Sequence, residues 1–233
     1  MIEDLDYKKI AKVLFDDIKK VKLKNTPNLR RVRQKYSKIL AQADPEQILD
    51  FARYLISHYN YRGFASEIIY HGFAFEIIYY HKTAIKSIGV KELKEFGKQI
   101  NSWGAAEIFA GCLAGPAWRN GQVPDELISS WANSTDFWWR RAALVCTIAL
   151  NKRSWGGHGD IHRTLKICRI LLADNNDMVI KALSWALREL IPHDRESVSS
   201  FLRENENVLA SRVKREVKNK LTTGVKNPNR KVE

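Results

Sequence analysis

The chain has 233 residues, enough for one large domain or an array of small repeats, and enough to bury a sizeable core. Three cysteines, Cys112, Cys146 and Cys168, stand in apolar contexts without CxxC spacing, which excludes a disulfide framework and predicts buried thiols in a reducing compartment. The formal net charge of +13 points to a polyanionic partner.

The N-terminus, MIEDLDYKK, opens on acids, and the longest apolar run, AALVCTIAL, is far shorter than a membrane span. A soluble, cytoplasmic protein without a membrane partner is expected. Residues 1–40 hold 12 Lys/Arg against 5 Asp/Glu and residues 212–233 hold 8 against 2, which leaves 19 of each in the middle. The densest block, KKVKLKNTPNLRRVRQK over Lys19–Lys35, has eight basic residues and no acid, so Arg30, Arg31, Arg33 and Lys35 are candidate phosphate contacts. The competing reading is a solvated basic face that only aids solubility.

Nearly every segment has helical periodicity and no strand is predicted. Helices are expected to start at Asp44-Pro45 before EQILDFARYLISHY, at Pro124-Asp125 before ELISSWA, and at Ser134 to Asp136 before FWWRRAALVCTIAL. Pro192 and glycines 89, 121 and 156 fall between helices. About a dozen helices, paired roughly every 40 residues, suit an all-α superhelical array of HEAT-like (armadillo-type) hairpins with a concave basic groove; a compact helical bundle is the alternative. The domain is expected to cover residues 1–220, with a disordered basic tail over 221–233 and a monomeric state.

Three constellations carry chemistry. In NSWGAAEIFAG, Trp103 and Glu107 share a helical face while Gly104, Ala105, Ala106, Ala110 and Gly111 keep the surroundings small, which leaves a cleft where a carboxylate and an indole can stabilise a cation. Close helix packing, with Glu107 paired to a basic residue, explains the same residues. In DFWWRRAALV, Arg141 interrupts the apolar stripe of Phe137, Leu144, Val145 and Ile148, so it must meet an internal carboxylate or an external anion. In DMVIKALSWALRELI, Val179, Ala182, Leu183, Ala186, Leu187, Leu190 and Ile191 form one stripe, and Trp185 lies about 140° away among Lys181, Ser184 and Arg188. That face either packs on a neighbouring repeat or offers an aromatic platform flanked by cations for nucleotides and phosphates. His158 and His162 lack a third ligand, so no metal is expected, and no Gly-rich phosphate loop is present.

Three of these segments resemble the HEAT-like-repeat DNA alkylation repair family of alkylpurine DNA glycosylases: NSWGAAEIF (a Trp followed four residues later by an acid), DFWWRRAALV (Phe-Trp-x-x-Arg) and IKALSWALREL (Lys-Ala-x-x-Trp-x-Leu-Arg-Glu). The resemblance implies a protein that excises cationic alkylated purines such as 3-methyladenine or 7-methylguanine from double-stranded DNA, without cofactor and without flipping the base into a pocket. By the same likeness Trp103 and Trp185 flank the lesion, Glu107 is the catalytic carboxylate and Arg141 contacts the DNA backbone; Lys181 and Arg188 accompany Trp185. Nucleoid association follows from DNA binding. Two positions depart from the family pattern: Glu107 stands where Asp is usual, and Gly104 where a further Asp is frequent. They keep a second reading open, a non-catalytic DNA-binding repeat protein for damaged, distorted or branched DNA. A protein-binding helical scaffold is the third.

Overall fold

The computed structural model describes residues 6–58, 64–98 and 100–228, and among these the regular structure is entirely helical. The chain forms two compact units, Met1–Gly97 and Lys98–Glu233. The first holds α1 (Tyr7–Lys20), α2 (Thr26–Ile39), α3 (Pro45–His58), α4 (Phe64–Tyr80) and α5 (Val90–Gly97). The second holds α6 (Trp103–Phe109), α7 (Gly115–Arg119), α8 (Asp125–Ala132), α9 (Phe137–Asn151), α10 (Ile161–Ile170), α11 (Asp177–Leu190), α12 (Arg195–Glu204) and α13 (Ser211–Thr223).

Local chemistry starts these helices where the sequence places them. Asp6, Asn25, Ser102, Asp136, Asp160, Asn176 and Asp194 each turn a side-chain oxygen onto a backbone N–H of the first turn, which satisfies a donor that has no partner inside the helix. Pro45 opens α3 and Asp125 opens α8, as their signals predict. Glycines end or turn segments where φ must be positive, at Gly121, Gly156 and Gly224.

Within each unit, helices pack on their sequence neighbours and on the next but one. In the first unit α1 meets α2 and α3, and α4 meets α2 and α3. In the second, α9 is the central rod, in contact with α6, α7, α8, α10 and α11, and α11 packs on α13. Every residue of α9 from Arg141 to Asn151 is buried, so its apolar surface runs round the whole helix rather than along one stripe. The region placed in a disordered tail is helical through Thr223, and the turn beyond it folds back as Asn219 Nδ2 donates to the Lys226 carbonyl at 3.0 Å. Residues 229–233 of that expected tail lie outside the described residues. Among the described residues no helix is long and apolar enough to cross a membrane.

Candidate functional site

Ser102 caps α6, and Trp103 and Glu107 then stand one turn apart on its outer face, Trp103 46% exposed. The small residues around them are buried: Gly104, Ala105, Ala106, Ala110, Gly111, Ala114 and Gly115. They let this helix approach α9 closely, since a Cβ at Gly115 would overlap the Cβ of Ala149 and lie 2.7 Å from the Ala110 carbonyl. Between α6 and α7 the helix widens into a π turn over Ala110–Ala114, a local distortion that often accompanies functional positions.

Arg141 rises from the second turn of α9 under Glu107 and is 5% exposed. Its Nη2 donates to Glu107 Oε1 and its Nη1 donates to the Met178 carbonyl at 2.6 Å in the first turn of α11. The guanidinium therefore ties three helices, α6, α9 and α11, to one point. Of the two partners the sequence allows, it takes the carboxylate, and its Nε is buried without a hydrogen bond among the described residues. Glu107 keeps 27% of its side chain exposed, so the pair is half open: a buried cation below, an accessible carboxylate above.

Trp185 sits on the second face of α11, where its Nε1 donates to Glu189 Oε1 at 2.9 Å. Its ring meets the edge of Trp155, centroids 5.9 Å apart at 75°. Trp155 in turn lies against Gly111, where an added Cβ would come within 3.1 Å of the indole. Gly111 lies in the π turn four residues beyond Glu107, so Trp155 packs on the segment that continues α6. Lys152 places its ammonium 4.6 Å from the Trp155 ring centroid and 5.6 Å from that of Trp185. Neither Lys152 nor Trp155 is singled out by sequence reasoning. The available signal is the cluster WGG, in which a large ring precedes glycines that the loop needs: Gly156 has φ +79° and a Cβ at Gly157 would strike the Asn151 backbone at 2.7 Å.

The flanking cations are mostly committed to partners inside the protein. Lys181 Nζ lies 2.6 Å from Asp177, and Arg188 Nη2 lies 3.9 Å from Glu216 while its Nε donates to Ser184 at 3.3 Å. Burial pulls the Arg188 guanidinium below its ordinary pKa, against the opposing charges of Glu216 and Glu189. Glu216 is 2% exposed and is the hub here: it accepts from Ser184 at 2.6 Å and faces Lys226 at 3.3 Å and Arg212 at 3.6 Å. Burial raises its carboxyl pKa, but the Ser184 hydroxyl and the surrounding cations outweigh burial and hold it below the usual value.

On α2, Arg30 and Arg31 are exposed, and Lys35 is exposed but 2.6 Å from Asp17. Arg33 departs from its expected surface position: it is 6% exposed, 3.3 Å from Glu76, and stacked 3.8 Å from the Tyr80 ring centroid. It lies on the inward face with Tyr36 and Leu40, so it is spent on the first unit's own packing. His158 is exposed in the loop after Trp155 while His162 begins α10, and no group of three metal-ligating side chains occurs among the described residues.

Among the described residues, then, an all-helical chain holds a half-open carboxylate, paired to a buried guanidinium, one turn from the exposed Trp103. The family is specific: residues 24–221 match the model of the DNA alkylation repair enzyme family, and the chain belongs to that family. Its role is therefore in DNA repair, with DNA as its partner. No curated protein matches the chain.

Proposed function

We propose that the chain is a DNA glycosylase that hydrolyses the N-glycosidic bond of cationic alkylated purines, such as 3-methyladenine or 7-methylguanine, in duplex DNA without turning the base into a pocket. The observation that carries this reading is the half-open Glu107, oriented from below by a buried guanidinium and flanked by the exposed Trp103, in a chain of the DNA alkylation repair family. An alkylated purine already carries positive charge and is a good leaving group. As the C1′–N bond breaks, its electron pair stays with the base, which leaves neutral, and positive charge moves to the sugar. The Glu107 carboxylate stabilises that charge, with Trp103 and Trp185 lining the site. Water then adds to C1′ and its proton passes to solvent. No cofactor is required. Arg141, buried among its partners, serves this chemistry as a positioning residue for Glu107 in preference to a direct phosphate contact.

The next-but-one packing of helices within each unit supports a stack of HEAT-like hairpins, and the family match running through both units supports one functional domain over 1–220 that acts as a monomer along duplex DNA. Arg30, Arg31 and Lys35, with Lys181 and Arg188 where they are freed from their acids, would supply phosphate contacts. One observation favours the non-catalytic alternative: Glu107, one methylene longer than the family's usual Asp, spends one oxygen on Arg141 as a structural ion pair would.

The test is release of free methylated bases from alkylated duplex DNA by wild type and by Glu107→Gln at matched DNA occupancy. Release by wild type that falls about a hundredfold or more in the variant supports the glycosylase. A wild type that binds the duplex and releases nothing leaves the non-catalytic reading.

A further inference from the structure

Next to Trp185 stand two side chains, Trp155 and Lys152, to which this hydrolysis assigns no role. The loop that follows α9 is held with unusual firmness for an exposed connection. Arg119 Nη1 donates to the carbonyls of Ala149 at 2.8 Å and Trp155 at 2.6 Å, and His193 Nε2 donates to the Asn151 carbonyl at 2.6 Å. Asn151 closes the base of the loop by accepting from the Asp160 N–H at 2.9 Å. Together they seat the Trp155 ring on Gly111 and edge-on to Trp185.

The ammonium of Lys152 lies within 6 Å of both ring centroids. This is the geometry in which an aromatic pair holds a cation, because the ring quadrupoles present negative charge to it. Here the cation belongs to the chain. A lysine suits a removable occupant, since its charge is compact and its stem flexible, whereas Arg119 close by is locked by two carbonyls.

We propose that Trp155 and Trp185 form a cation-selective platform in which Lys152 is a resident placeholder, displaced when a positively charged group of bound DNA arrives. Lys152 is then a specificity-determining residue, and Trp155 with Trp185 holds the arriving cation directly. The proposal rests on the reading that DNA carrying a cationic purine lies along this edge. A neutral purine has nothing to gain from displacing the ammonium and leaves it in place. A cationic one gains the rings but must first expel a like charge, so the placeholder sets a threshold against weak or transient cations.

Affinity of the full chain for two duplexes tests this by fluorescence anisotropy at fixed ionic strength. One duplex is unmodified; the other carries 7-methylguanine on a 2′-fluoro sugar, which keeps its positive charge and resists base loss. Lys152→Gln is expected to tighten binding of the charged duplex by about three- to tenfold, as removal of a competing cation from an aromatic site implies, and to leave the unmodified duplex within about twofold. Trp155→Phe is expected to narrow the preference for the charged duplex, because phenylalanine holds a cation less well than tryptophan. Equal weakening of both duplexes by Lys152→Gln would make Lys152 a phosphate contact and overturn the proposal, as would an unchanged ratio in both variants. Base release plays no part in the readout, so absence of glycosylase activity leaves this test intact, and an active glycosylase with an unchanged ratio sinks the placeholder alone.

Discussion

Arg141 shows how far a single position can be read. A guanidinium inside an apolar stripe requires a partner on desolvation grounds, and that much is visible in DFWWRRAALV. Which partner it takes depends on α6 and α11 crossing α9 at the right height, which no local pattern encodes. Because Arg141 is buried and Glu107 is partly open, Arg141→Met is expected to lower stability by about 1–3 kcal/mol, less than the loss for a fully buried pair. Thermal unfolding of Arg141→Met, Glu107→Gln and the double variant checks this: a coupling of about 1 kcal/mol or more is expected, and additive losses would remove the pairing as the cause. Arg33 was legible in principle. It falls four residues after Leu29 and three before Tyr36, on the inward face of α2, a register masked by the density of charge around it.

At the scale of elements, helix starts are the most legible feature, since a cap residue and a proline act within one turn. The π turn at Ala110–Ala114 is not, because it arises where a helix must fit both the close approach of Gly115 to α9 and the Trp155 ring on Gly111. The α11–α13 junction is likewise tertiary: Glu216 lies in the basic stretch of residues 212–233, yet it is buried beneath Ser184, Arg188, Arg212 and Lys226. Its folded-state pKa lies below its unfolded value, so its contribution to stability is complete above the ordinary glutamate range and is lost as pH falls through the lowered folded value. Glu216→Gln is therefore expected to cost about 1–3 kcal/mol at neutral pH, as for a charged buried acceptor, and the gap from wild type should close as pH drops below about 4. Urea unfolding at a series of pH values measures it. A gap that persisted undiminished in acid would mean that packing, not charge, explains the loss.

For the whole molecule, the charge of +13 concentrated at the two ends is a property of the sequence, and it makes DNA affinity depend on salt with a slope of about −0.9 per phosphate neutralised. The structure divides the basic residues of α2 by exposure. Arg30→Gln with Arg31→Gln is expected to reduce the slope of log affinity against log salt by about 2, whereas Arg33→Gln should leave the slope unchanged and lower the melting temperature. A slope that responds to Arg33 and ignores the other two would reverse this division. The sequence by itself determined that the described chain is helical, where its helices begin and that it carries net positive charge, because capping, periodicity and composition act over a few residues; Trp103, Glu107, Arg141 and Trp185 stand out through the resemblance of three segments to one family. The tertiary structure alone decided that Glu107 meets Arg141, that Lys152 and Trp155 join Trp185, and that Arg33 and Glu216 are buried. Those outcomes depend on how rods distant in sequence cross, and the desolvation of a charge is settled only where they meet.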